Sequence, residues 1–147
     1  KQMAEVFKDR HSSVLGVEEV DPSDTDKYGI VDTRGDKGKV ARIEAIVEKP
    51  KPAKAPSNLA VVGRFLLKPA IFDELEEIGA GAGGEIQLTD GIARLMKRDE
   101  VLAYRFSGKR YDCGSKLGYL QATVEYGLKH PKLGKDFRSY LQGLFKP

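Results

Sequence analysis

Residues 59–67, LAVVGRFLL, are apolar at nearly every position. A strand that faces water on one side alternates apolar with polar residues, because successive side chains point to opposite faces. A run without a polar face predicts an interior strand covered on both sides, and hence a layered architecture. SSVLGVEEV repeats the pattern through Val14, Leu15 and Val17. Segments of helical period alternate with these runs, so the chain reads as α/β.

The first residues, KQMAEVFKDR, place Met3, Val6 and Phe7 on one helical face, with no capping residue ahead of Lys1. A polar connection leads to a short strand at 28–33, and RGDKGK is expected to turn a hairpin into a strand at 40–47, which makes the sheet mixed. Pro50, Pro52 and Pro56 form a rigid connector whose spacing misses the PxxP period. KPAIFDELEEI predicts a short helix with Pro69 in its first turn, and GAGAGG a flexible loop. EIQLTDGIARLMKR predicts a helix capped by Thr89 or Asp90, with Ile92, Leu95 and Met96 inward. VLAYRFSGKRYDCGS supplies a strand, a turn at Ser107-Gly108 and an extended piece ending at Asp112. Leu117, Leu120, Val124 and Leu128 mark the inner face of a helix that stops at His130-Pro131, and a last helix follows around 137–144.

Charge and cysteine usage narrow the function classes. The 25 basic and 22 acidic residues are interspersed and leave +3, which is a poor footprint for nucleic acid but leaves room for a local anion site. No apolar run approaches the ~20 residues that span a bilayer, and no secretory signal opens the chain, so a cytoplasmic location is the expectation. Cys113 is the single cysteine, which excludes an internal disulfide and is read as a packing residue. His11 and His130 lack metal-ligand spacing. RGD at 34–36 is explained by its turn, and GAGAGG lacks the Lys-Ser or Lys-Thr of a phosphate-binding P-loop.

Two positions carry candidate chemistry. Counting alternate residues from Ile43 through Ala45 and Val47 puts Lys49 on the same face, and Pro50 biases it toward extended geometry. Lys49 therefore either meets an anion such as a phosphate, because a buried unpaired ammonium is costly, or leaves the strand and reaches water. Glu48 is either a solvated carboxylate or an acceptor of sugar hydroxyls. Asp112 stands at a strand end before Gly114-Ser115 and a helix start, where it either holds Mg2+ beside substrate phosphates or caps the helix.

Taken in order, YGIVDTRGD, VEKPKPAKAPSNLAVVGRFLL, GGEIQLTDGIARL and YDCGSKLGYLQATVEYGLKHP resemble the C-terminal half of the bacterial UTP–glucose-1-phosphate uridylyltransferases, a branch of the sugar nucleotidyltransferases. The resemblance covers nearly the whole chain. It implies the C-terminal part of a Rossmann-like fold with a mixed, mostly parallel sheet flanked by helices. It also implies that residues 1–147 are the sugar-phosphate-binding half of one catalytic domain. The implied reaction joins UTP and α-D-glucose 1-phosphate to give UDP-glucose and pyrophosphate. By the same resemblance Lys49 contacts the sugar phosphate, Glu48 holds sugar hydroxyls, Gly29 and Val61 line the sugar pocket, and Asp112 is the second Mg2+ carboxylate. Glu85 is left a structural role. Family members commonly form dimers or tetramers, which implies a homo-oligomer. The family's G-x-G-T-R-x-x-P-x-T-K triphosphate loop and its first metal aspartate do not occur in these residues. The chain alone is therefore expected to be incomplete as an enzyme and to need a nucleotide-binding half. The competing expectation is a catalytically silent sugar-nucleotide binding or interaction module.

Overall fold

The apolar run takes an interior place in the sheet. In a computed structural model that describes residues 1–79 and 84–145, β5 (Leu59–Leu66) lies between β1 (Ser13–Glu19) and β2 (Gly29–Asp32). With β3 (Val40–Arg42), β4 (Ala45–Glu48) and β6 (Val101–Arg105) the order is β3-β6-β1-β5-β2-β4. Residues 80–83 of the expected GAGAGG loop lie outside the described residues. Lys1–Ser107, which contains the sheet, forms one compact unit and Gly108–Pro147 a second.

Both faces of the sheet are covered, as a run without a polar side requires. On one face Leu15, Val17, Val31, Leu59 and Val61 pack with Ile71 of helix α2 (Ala70–Glu76) and with Ile92 and Leu95 of helix α3 (Leu88–Leu95). On the other, Val14, Leu102 and Tyr104 meet Met3, Val6 and Phe7 of helix α1 (Gln2–Arg10).

The sheet is mixed but not mostly parallel. Among the described strands β1 and β6 pair parallel, while β1–β5, β2–β5, β2–β4 and β3–β6 are antiparallel. A parallel pair needs a long crossover. The chain from β1 to β6 contains one, with α2 and α3 in it, whereas the antiparallel pair β2–β4 is joined through the short strand β3 with no helix between them.

The expected hairpin at RGDKGK is also revised. Asp32 pairs with Ala45, and the intervening residues include β3, which joins β6 at the opposite edge. Arg105 holds that excursion, donating from Nη1 to Gly38 O at 2.6 Å and from Nη2 to Asp36 O at 2.9 Å. At its end, Ile43 N–H bonds Val101 O and the next residue, Glu44, bonds Asp32 O. Adjacent Cα atoms are about 3.8 Å apart, so the two edges of the sheet meet at this corner.

Side-chain parity changes there. The inward positions run Ala41, Ile43 and then Ile46, while Val47 is 42% exposed. The face expected to carry Ile43, Ala45 and Val47 toward Lys49 therefore does not exist.

The second unit contains helix α4 (Lys116–Lys129) and helix α5 (Gly134–Leu144). Gly118 and Ala122 are the buried residues of α4, whereas Leu117 and Leu120, expected inward, are exposed. Glycine sits where a neighbour lies close: a Cβ on Gly118 would stand 2.1 Å from the Asp112 backbone O, and one on Gly127 2.7 Å from Cε1 of the Phe137 ring.

Candidate functional site

Gly29 opens β2 and is the register partner of Glu48, the last residue of β4. The next residue of β2, Ile30, pairs with Ala60 of β5, which brings Val61 alongside. A Cβ placed on Gly29 would lie 3.1 Å from Thr89 Cγ2, 3.2 Å from Glu48 Oε2 and 4.0 Å from Val61 Cγ2. Four residues from β2, β4, β5 and α3 thus converge where only glycine leaves room.

Thr89 completes this cluster, and sequence reasoning assigned it differently. Neither Thr89 nor Asp90 caps α3; Gln87 occupies the cap position with no side-chain hydrogen bond, and Thr89 lies within the first turn. Its Oγ1 is shut off from solvent and has no hydrogen-bond partner among the described residues. Such a group costs about 1–3 kcal/mol unless something bonds it. The Thr89 methyl, Cγ2, closes on the Cβ position of Gly29 together with Glu48 Oε2 and the apolar wall of Val61, 7% exposed. A carboxylate and an apolar surface around a bare backbone, with an unused threonine hydroxyl on the residue that forms one wall, suit the hydroxyl-bearing face of a sugar ring. The signal was present in LTDG, but a threonine near a helix start reads first as a cap.

Lys49 adjoins the cluster in an unexpected conformation. Its φ is +45°, left-handed rather than extended, which costs a non-glycine residue roughly 1–2 kcal/mol. Its N–H still bonds Tyr28 O at 3.0 Å, so the ladder runs one residue past β4 before the chain turns aside. The side chain is 63% exposed, with Nζ 4.0 Å from Glu48 Oε1. The ammonium therefore reaches solvent next to the Glu48 carboxylate.

Asp112 belongs to the second unit and is exposed. It does not cap α4: Ser115 does, accepting the Gly118 N–H at 3.0 Å. Asp112 Oδ1 accepts the Gly114 N–H at 3.0 Å, and its carbonyl accepts from Ser115 Oγ at 3.1 Å. Among the described residues no group of three or more acidic, histidine or cysteine side chains converges for a metal. An exposed carboxylate tethered through Oδ1 fits an ion that takes one or two protein carboxylates and draws its other ligands from phosphates and water.

The loop carrying Asp112 is fixed from the preceding residue. Tyr111 OH donates to Glu125 Oε2 at 2.5 Å, and Lys109 Nζ pairs with the other oxygen of the same carboxylate. The hydrogen bond to Glu125 pushes the Tyr111 hydroxyl up to about 12. Lys109 first, and then Tyr111, hold the Glu125 carboxyl below its ordinary range. Cys113, expected to pack, is exposed. Glu85 is exposed too. His11 and His130 end α1 and α4.

Comparison with known proteins follows the same lines. A family model described as "Nucleotidyl transferase" matches residues 1–128. The chain is 46% identical over 144 residues to a UTP–glucose-1-phosphate uridylyltransferase of Staphylococcus epidermidis, an alignment that covers 98% of this chain and 50% of that protein. A crystal structure of a UDP-glucose pyrophosphorylase complexed with UDP-glucose aligns with TM-score 0.81 and 42% identity, covering 88% of this chain and 49% of its own. A UTP-bound UGPase from Acinetobacter baumannii aligns with TM-score 0.83 and 43% identity, over 96% and 48%. The chain spans about half the length of the curated relatives it matches. Among the described residues no helix is long and apolar enough to cross a membrane.

Proposed function

This chain belongs to the nucleotidyl transferase family, and from that premise we propose that it supplies the sugar-phosphate-binding half of a uridylyltransferase. The whole enzyme joins UTP and α-D-glucose 1-phosphate to give UDP-glucose and pyrophosphate. The observation that carries this reading is the cluster at Gly29, where the Glu48 carboxylate and the Thr89 methyl close on a bare backbone and the solvent-shielded Thr89 hydroxyl has no partner among the described residues. In the proposal Gly29 admits the sugar ring, Glu48 and Thr89 bond its hydroxyls, Val61 packs against it, and Lys49 reaches the phosphate. In the same proposal a nucleotide-binding half completes the enzyme.

The chemistry asks little of the protein beyond placement. A phosphate oxygen of the sugar phosphate attacks the α-phosphorus of UTP in line, pyrophosphate leaves, and no protein nucleophile is needed. Positioning and neutralisation of charge carry such a transfer. Lys49 offers a charge-assisted contact to the attacking phosphate. Asp112 is the residue proposed to hold Mg2+, which when bound neutralises charge on the phosphates. Cytoplasmic location and a homo-oligomer, dimer or tetramer, are part of the same proposal.

The test is UTP-dependent pyrophosphate release by the complete polypeptide carrying this chain, with glucose 1-phosphate as acceptor. Turnover that falls when Glu48 is replaced by Gln supports the reading. Absence of turnover, with UDP-glucose still bound, would leave the silent sugar-nucleotide binding module.

A further inference from the structure

Helix α3 carries Thr89 in its first turn, and its other end is clamped. Glu74 of α2 is 6% exposed, and each of its carboxylate oxygens meets a different guanidinium. Arg94 Nε donates to Oε2 at 2.9 Å, and Arg98 Nε lies 2.8 Å from Oε1. Midway, a Cβ on Gly91 would stand 2.7 Å from Leu75 Cδ2 and 3.4 Å from Ile71 Cδ1, so α3 rests directly on α2. Thr89 lies five residues before Arg94, about 7.5 Å along a helix axis. A tilt at the clamp therefore moves the threonine.

Adhesion alone does not explain this arrangement. Burying a carboxylate with its partners is often no better for stability than packing apolar groups of equal volume, because desolvation cancels much of the attraction. Each guanidinium is shared, Arg94 turning Nη2 to Glu77 and Arg98 turning Nη2 to Asp73 at 3.7 Å, and planar donors held by two carboxylates of α2 and its C-terminal end are directional, fixing an angle as well as a distance.

We propose that Glu74 is a positioning residue for the sugar pocket. Through Arg94, and through Arg98 just past the end of the helix, it sets the angle of α3, and so the depth at which the Thr89 side chain stands beside Gly29. The inference rests on the sugar-pocket reading above.

The test is a double-mutant cycle in the complete enzyme, reading KM for glucose 1-phosphate and for UTP separately. Thr89→Val is expected to raise the glucose 1-phosphate KM by about two- to tenfold, the scale of one neutral hydrogen bond. Glu74→Gln is expected to raise the same KM by about two- to fivefold, to leave the UTP KM unchanged, and to add less than about twofold in the Thr89→Val background, as coupled residues do. Arg94→Lys, which keeps a charge beside Glu74 but loses the planar group shared with Glu77, is the milder probe if Glu74→Gln folds poorly, and is expected to act in the same direction. If both clamp variants lower only the thermal midpoint, or if their effect on KM multiplies with that of Thr89→Val, the positioning role is wrong while the pocket stands. If Thr89→Val leaves the glucose 1-phosphate KM unchanged, the pocket assignment of Thr89 fails, and the clamp's role with it.

Discussion

Gly29 and Glu48 face each other across the β2–β4 pair, and a Cβ on the glycine would stand 3.2 Å from Glu48 Oε2. The same atom would meet the Thr89 methyl at 3.1 Å, so Gly29→Ala presses on two walls of the pocket at once. The expected result is a rise in glucose 1-phosphate KM of about tenfold, within the range of a roughly 1–3 kcal/mol overpacking clash. The UTP KM is expected to stay near the parent value. Steady-state kinetics with each substrate varied in turn checks this, and an unchanged glucose 1-phosphate KM would remove Gly29 from the pocket.

Lys49 separates stability from activity. Lys49→Ala is expected to lower kcat/KM for glucose 1-phosphate by about ten- to a hundredfold, the loss of a charged contact worth roughly 1.5–3 kcal/mol. Lys49→Gly is expected to lose activity equally while gaining about 1 kcal/mol of stability, because glycine adopts φ near +45° without the Cβ penalty. Denaturant unfolding alongside kinetics reads both effects. A glycine variant that is less stable than the parent would show that the left-handed lysine carries no strain.

Asp112 and Ser115 are expected to divide their roles. Ser115 is the cap of α4, so Ser115→Ala should cost about 1 kcal/mol of stability. Asp112→Asn keeps an acceptor for the Gly114 N–H and should leave the thermal midpoint near the parent. Activity is expected to fall sharply and to recover in part as Mg2+ is raised, since a negative ligand has been lost. Full activity across a Mg2+ titration would end the metal assignment.

The Tyr111–Glu125 contact makes stability depend on pH at both extremes. Tyr111 keeps its proton more tightly in the folded chain, with its pKa raised from 10.0 to about 12. Its contribution is therefore complete below pH 10 and lost as pH rises toward 12. Glu125 is shifted downward from 4.5, so its contribution is present above that value and lost as pH falls below it. Thermal midpoints of the parent and Tyr111→Phe, measured across the alkaline range, are expected to converge toward pH 12. A difference that stays constant through that window would show that the hydroxyl bond is not linked to folding.

Much of this architecture is legible in local pattern. The interior strand at 59–67, the helices at 70–76 and 116–129 and the break at His130-Pro131 follow from periodicity and from proline chemistry. The candidate site was legible in part, through resemblance. Gly29, Glu48 and Val61, named from the Tyr-Gly, Glu-Lys-Pro and Ser-Asn motifs, converge in space. Thr89 was visible only as a cap, because its contacts come from strands far away in sequence.

The sequence by itself determined most of the strands and helices, because period and breaking residues depend on side chains a few positions apart, while its motifs, by resemblance, named the candidates for a sugar phosphate. Tertiary structure alone decided the parity of the strand leading to Lys49. Ile43 bonds to β6 and Glu44 to β2, and that change of partner between adjacent residues turns Ile46 inward and Val47 outward. No local period encodes which distant strand accepts an N–H, so the side of the sheet on which Glu48 and Lys49 emerge is settled only when the two edges meet.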